Sequence, residues 1–258
     1  MNRRTLFAAC AAALLLAHAP AHADTLAEIK KAGVLKVAVP QDQPPFGSVG
    51  GDMKPQGYDI DMAGLIAKEI GVKLELVPVT SANRIPYLQT HKVDLVISSL
   101  GKSPDREKVI DFSDPYAPYY NGVFGIPEQK VAKMEDLNGK TIGVTRGTFE
   151  DLEVSKGATS ATIKRFEDNN GTISAFLSGQ VELIAVGNVV AAAILAKNPP
   201  KKPETKFLIK NSPCYIGLNK GEAALLAAVN AAIAKSRQNG SLNQVSQKWL
   251  GTPLPATL

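Results

Sequence analysis

The chain has 258 residues, 45% hydrophobic and 21% charged, which is enough to build a sizeable core and unlike the composition of a disordered chain. Its formal charge of +5 comes from scattered Lys and Arg, so no basic stripe marks a nucleic-acid surface. Three His and two Cys argue against a multi-ligand metal site or a disulfide scaffold.

Arg3 and Arg4 precede an apolar run at residues 6–17, and Ala21-His22-Ala23 supplies a small-x-small cleavage pattern. Residues 1–23 are therefore expected to be a signal peptide cut after Ala23, placing the mature chain in the periplasm. A lipoprotein reading through Cys10 is weaker, because that Cys lies inside the apolar run and Phe7 stands where Leu is usual. Without residues 1–23, 27 Lys and Arg face 24 Asp and Glu, a charge of +3. One His (His91) and one Cys (Cys214) remain, so triad chemistry would have to run through His91 alone.

In chain order, residues 35–39 read as a strand, ended by Pro40 and a Pro44-Pro45 loop. A helix is expected over 58–70, with Ile60, Ala63, Ile66, Ala67 and Ile70 on one face and Gly71 as its stop. Strand 73–79, helix 84–90 and strand 93–98 follow, a succession that implies a parallel sheet with right-handed crossovers. A second series starts near Asn121. Its strands are expected at 141–144, 162–166, 183–186 and 207–210. Its helices open at Gly147-Thr148 and run over 171–177 and 189–197. Strand 215–218 and helices 222–238 and 242–249 close the chain, split by Asn239-Gly240. Two α/β units of about 100 residues suggest two lobes. No internal repeat or flexible linker is visible.

Several motifs in this order resemble one family. Pro44-Pro45-Phe46, Gly57-Tyr58-Asp59-Ile60-Asp61, Asn83-Arg84-Ile85-Pro86 and Val93-Asp94-Leu95-Val96-Ile97-Ser98 come first. Arg106, Asp111-Phe112-Ser113-Asp114-Pro115-Tyr116, the segment Asp136 to Val144, Gly147-Thr148 and Lys248-Trp249-Leu250-Gly251 complete the set. Together they resemble the polar-amino-acid substrate-binding proteins of ABC importers, solute-binding protein family 3. That resemblance implies an α/β, two-lobe type II periplasmic-binding fold, each lobe a mixed, mainly parallel sheet flanked by helices. Lobe 1 would comprise residues 24–118 and 214–258, and lobe 2 residues 119–213. Two hinge crossings are implied near residues 119–123 and 211–217, with the ligand held between closing lobes.

The site expectations join this resemblance to elementary chemistry. A carboxylate needs a fixed cation, and Arg106 offers a planar fork that Lys cannot reproduce. Ser98, Ser99 and Gly101 follow the carboxyl end of a strand, where open α/β sheets bind ligands. Thr148 opens a helix whose N–H groups face the cleft, with Phe149 beside it. The resemblance transfers the α-carboxylate role to Ser99, Gly101, Arg106 and Thr148. Arg84 either braces its own helix or points into the cleft, and Phe46 is either a cleft wall or a packed loop aromatic. His91 reads as a surface turn residue and Cys214 as a small hydrophobe near the hinge.

The pattern departs at two main places. Gly187, with Asn188 beside it, stands where relatives carry an Asp for the ligand's ammonium. Either Glu150 or Asp151 substitutes, or the ligand lacks a conventional α-amino group. Gln43 replaces a common aromatic residue, which favours a polar ligand, and Ser103 replaces Thr, a mild change. The implied function is a non-enzymatic receptor, acting as a monomer, that delivers a small amino acid or related carboxylate to an inner-membrane ABC permease. No cofactor, metal or nucleic acid is expected. The alternatives are a cyclohexadienyl-dehydratase-like enzyme with Glu150 as its acid, and a sensing module for a separate receptor.

Overall fold

The structure is a computed structural model describing residues 25–258. The expected leader, Cys10 and the cleavage site after Ala23 lie outside the described residues. Two five-stranded sheets, each flanked by helices, form the body of the protein.

The chain opens with helix α1 (Thr25–Ala32) and strand β1 (Val34–Pro40). A small antiparallel ribbon follows, β2 (Asp42–Gln43), β3 (Gly47–Val49) and β4 (Pro55–Gln56). Helix α2 (Tyr58–Ile70) then crosses to β5 (Lys73–Val79), and α3 (Arg84–Gln89) crosses to β6 (Leu95–Leu100). Gly71 stops α2 with a left-handed turn, φ 83°. Both β5 and β6 run parallel to β1, with Val34 opposite Lys73 and Val37 opposite Leu95. The last strand was expected at 93–98 and instead runs from Leu95 to Leu100.

After the short α4 (Pro104–Glu107) come β7 (Ile110–Ala117) and β8 (Tyr120–Gly125). The second sheet adds β9 (Thr141–Thr145), α5 (Phe149–Gly157), β10 (Thr162–Phe166), α6 (Asn169–Leu177), β11 (Leu183–Gly187), α7 (Asn188–Ala196) and β12 (Glu204–Asn211). The chain then returns through β13 (Cys214–Asn219), α8 (Ala223–Gln238) and α9 (Ser241–Leu250).

The strand orders are β5-β1-β6-β13-β7 and β10-β9-β11-β8-β12. The late strand β13 is thus inserted between β6 and β7, antiparallel to both. Two crossings join the sheets, at Pro118-Tyr119 and Ser212-Pro213. They touch, since the Ser212 N–H donates to the Tyr119 carbonyl at 3.1 Å.

Burial explains the apolar strands. Along β1, Leu35, Val37 and Val39 pack in one cluster with Met62, Ala63 and Ile66 of α2, while Ala38 joins Leu88, Val96 and Ile110 on the other face. A parallel sheet covered on both faces reads as a continuous apolar run, as this strand does. Leu225, Val229, Ile233 and Leu242 from the two last helices enter the same cluster as Met62. Asp61 fastens this end, accepting from Trp249 Nε1 and Lys248 Nζ, each at 2.7 Å.

Candidate functional site

Between the two sheets lies a small, largely closed cavity lined from both sides. Gln43, Arg84, Ser99 and Gly101 line it from the first, and Tyr119, Asn121, Thr148, Phe149, Glu150 and Gly187 from the crossing and the second. The sides are closed on each other, leaving about 20 Å³ of space for water-sized groups. That is room for a water or two.

Arg84 begins α3, and its guanidinium is buried. Nη1 donates to the Ser98 carbonyl at 2.6 Å, while Nε has no partner. Burial depresses its pKa, offset by the negative charge of Glu150. Ser98 takes part through this carbonyl and does not line the cavity.

Ser99 adopts a left-handed backbone, φ 45°, unusual for a residue with a side chain. Asp59 holds it there. One carboxylate oxygen accepts from Ser99 N–H at 2.8 Å and Ser99 Oγ at 3.0 Å, and the other accepts from Tyr116 Oη at 2.6 Å. The Asp of the Gly57-Tyr58-Asp59 motif therefore shapes the cavity wall without lining it.

Arg106 stands one layer back. Nη1 donates to the Gly101 carbonyl at 2.8 Å and Nη2 to the Gly147 carbonyl at 3.0 Å, which ties the two sides together. Its Nε has no partner. Burial and the charge of nearby Arg84 depress its pKa, although a guanidinium stays protonated at neutral pH. The cation on the cavity wall is thus Arg84, where the sequence pointed first to Arg106. Ser103 caps α4 by accepting from the Arg106 N–H at 3.4 Å, a role that Ser and Thr share.

Across the cavity, Thr148 is the N-cap of α5. Its Oγ1 accepts from Asp151 N–H at 3.2 Å and donates to the Thr145 carbonyl at 2.8 Å. Thr148→Ala is expected to cost about 1 kcal/mol in chemical denaturation, the usual worth of a cap. Phe149 follows, nearly buried and facing Gly101. Glu150 sits on the first turn, buried, with its carboxyl pKa raised by desolvation and pulled back by its own N–H, Thr148, Arg84 and Arg106. Asn121, on β8, buries an Nδ2 that has no partner.

Besides Ser98 and Arg106, two more expected residues lie off the cavity. Phe46 is fully buried, stacked on Tyr58 at 5.2 Å and edge-on to Tyr119 at 5.6 Å, so of its two readings the packed aromatic holds. Asn188 turns its Oδ1 to the Tyr120 N–H at 3.3 Å and lines a different groove with Pro45, Pro118 and Trp249. His91 lies in an exposed turn, φ 54°, and Cys214 is buried beside the crossings.

Tyr119 is the residue that sequence reasoning missed. A side chain on residue 187 would place its Cβ 1.6 Å from Tyr119 Oη and 2.2 Å from Cζ. Gln43 Nε2 donates to the same hydroxyl at 2.5 Å. The two departures at Gln43 and Gly187 are therefore one feature, because both residues accommodate the phenol. No local pattern could reveal it, since residues 43, 119 and 187 meet only in the fold.

The chain and its fold have clear relatives. The model of the bacterial extracellular solute-binding proteins, family 3, matches residues 35–252. The L-cystine-binding protein TcyJ of Escherichia coli (strain K12) is 28% identical over 230 residues, covering 88% of this chain and 86% of that protein. Among solved structures, a solute receptor for L-cysteine of Neisseria gonorrhoeae superposes with TM-score 0.81 at 32% identity, covering 87% of this chain and 93% of that one. An ancestral amino acid-binding protein, a precursor of cyclohexadienyl dehydratase, superposes with TM-score 0.79 at 31% identity, covering 87% and 99%. With two helix-flanked sheets closing on a polar cavity and a family match across almost the whole described chain, the protein belongs to the bacterial extracellular solute-binding proteins of family 3.

Proposed function

We propose that this protein captures a small amino acid or related carboxylate between two lobes and delivers it to an ABC permease of the inner membrane. The observation that carries this reading is a pair of buried, unpartnered donors on residues that line one cavity. Arg84 Nε from the first side and Asn121 Nδ2 from the second both lack acceptors. Buried donors are rarely left unmade, and a carboxylate supplies acceptors to both sides at once. Arg106 adds positive charge behind the carboxylate and clamps Gly101 to Gly147.

The nearly closed cavity means that a ligand enters an opened form and is then enclosed. Closure around the ligand selects one arrangement of the two lobes for the permease to recognise. We take the lobes to be residues 24–118 with 214–258, and 119–213, with residues 1–23 as the export signal. The chain works as a monomer in the periplasm and is a binder, not an enzyme.

Calorimetry of the mature protein against amino acids and small carboxylates tests this. Arg84→Met is expected to weaken the bound ligand roughly 100-fold, as loss of a buried charged hydrogen-bond partner does. Absence of binding by every amino acid and carboxylate refutes the reading. Release of product from prephenate or arogenate would establish the dehydratase alternative instead.

A further inference from the structure

The two sides of the cavity also touch each other directly, protein to protein. From the ribbon, Asp42 Oδ2 accepts the Asn169 N–H at 2.6 Å, and both residues are buried. Asn169 is the first residue of α6, whose N-cap Asp168 is occupied with the Gly171 N–H. Asp42 therefore takes a donor that the helix itself leaves open, at its positive end. Beside α4, Asp105 Oδ2 pairs with Lys156 Nζ of α5 at 2.5 Å, and Arg106 Nη2 reaches the Gly147 carbonyl at 3.0 Å. Lys210 Nζ of β12 donates to the Lys102 carbonyl at 3.3 Å. Backbones meet as well. A Cβ on residue 147 would lie 2.8 Å from Ala82 Cα, so glycine there lets the two sides come into contact. Asp42, Asp105, Arg106, Gly147 and Lys156 do not line the cavity.

Resting on the two-lobe binding reading above, we propose that these contacts form a latch that keeps the empty protein closed, and that Asp42 is its main positioning residue, setting exchange rates and not affinity. Asp42 acts through Asn169 and touches no ligand. Its bond is charge-assisted and shielded from water, whereas the Asp105–Lys156 pair is half-exposed and worth little. In an opened form the Asp42 carboxylate and the Asn169 N–H both return to water. The bond therefore weighs on the closed form alone.

The consequence is kinetic. A ligand enters and leaves through the opened form, and the latch holds the empty and the loaded protein closed alike. It slows capture and release by the same factor, so its strength cancels from Kd. A residue that touches the ligand behaves otherwise, because its loss speeds release alone and weakens Kd.

Small-angle X-ray scattering of the mature protein tests the resting state. The ligand-free wild type is expected to scatter as the closed structure does, and ligand-free Asp42→Ala to expand. Asp42→Asn, which keeps an oxygen acceptor, falls between them. Stopped-flow fluorescence of Trp249, which lines the groove between the sheets, tests the rates. The probe is the tightest binder among L-cystine, L-cysteine, L-glutamine and L-arginine. Asp42→Ala is expected to raise its association and dissociation rates together, each about tenfold, with Kd moving less than about threefold. A ligand-free wild type that scatters as an opened form overturns the proposal while leaving the binding reading intact. A rise in the dissociation rate alone, or unchanged rates in Asp42→Ala, overturns it as well. If none of the four probes and no other amino acid or carboxylate binds, the binding reading itself has failed, and scattering of the ligand-free proteins still decides the latch.

Discussion

Asp59→Ala is expected to lower stability by about 4 kcal/mol in chemical denaturation at pH 7, because it removes the carboxylate on which three buried donors converge. The Ser99 N–H, the Ser99 hydroxyl and the Tyr116 hydroxyl all converge on this carboxylate. Ser99 also loses the anchor of its left-handed backbone and reverts toward a commoner conformation. The cavity wall moves with it, so ligand binding should fall alongside stability. A midpoint within a fraction of a kcal/mol of wild type would mean that the three donors find water or other partners.

The same residue carries a pH signature. Full burial pushes the Asp59 carboxyl from its ordinary 3.8 up to about 7, against the opposing pull of its hydrogen bonds to Tyr116 and Ser99. Folding therefore disfavours its ionised form. Between 3.8 and about 7 the folded protein holds a proton that the unfolded chain has released. Stability accordingly rises as pH falls through about 7 and stops gaining near 3.8. Thermal unfolding at a series of pH values should show a shallower rise in Asp59→Asn. Parallel curves for the two proteins would assign the titration to another group.

The second large effect falls at Gly187. Its backbone, φ −69° and ψ 153°, suits any residue, so Gly187→Ala introduces no torsional strain. The added methyl meets Tyr119 Oη at 1.6 Å instead, with Cζ at 2.2 Å and Cε1 at 2.7 Å. Tyr119 cannot retreat freely, since Gln43 holds its hydroxyl and Phe46 lies against its ring. We expect a loss of about 3 kcal/mol, at the upper end for overpacking, together with loss of ligand binding. Tyr119→Phe should give no relief, because the ring carbons stay in place. In a Tyr119→Ala background the methyl should cost almost nothing, so the double-mutant cycle carries most of the penalty as coupling. Additive costs would place the clash elsewhere.

Much of this fold was legible because its strands are short β-branched runs with clear stops. Residues 73–79 and 162–166 form strands with the expected limits, and 183–186 lengthens by one residue to Gly187. Helix α2 runs as its apolar face and Gly71 require. Helix α6 begins two residues before its expected start, at Asn169, because Asp168 caps it by accepting the Gly171 N–H at 2.7 Å. Helix α1 gave no signal, since Ile29 is its one buried residue. The ribbon strands β2, β3 and β4 are two or three residues long, too short for a period of two to show.

The candidate site was legible in outline and not in its division of labour. Gln43, Arg84, Ser99, Gly101, Thr148 and Phe149 line the cavity together. What the sequence could not supply was which of two arginines faces it. The guanidinium of Arg106 is spent on the carbonyls of Gly101 and Gly147, a pairing that exists only after folding. Asn188, beside the position where relatives carry an Asp, turns instead to the crossing at Tyr120.

The insertion of β13 between β6 and β7 has a consequence for the order of assembly. A chain that emerges amino end first presents β1, β5, β6 and β7 more than ninety residues before the strand that joins β6 to β7 arrives. Until then the first sheet has a gap in it, with open backbone edges on both sides. The second sheet draws all five of its strands from the uninterrupted stretch 120–211 and is complete as soon as β12 is out. The middle of the chain can thus be finished while its beginning still waits for its end, so the early segment spends longest exposed to mispairing or to a holding chaperone.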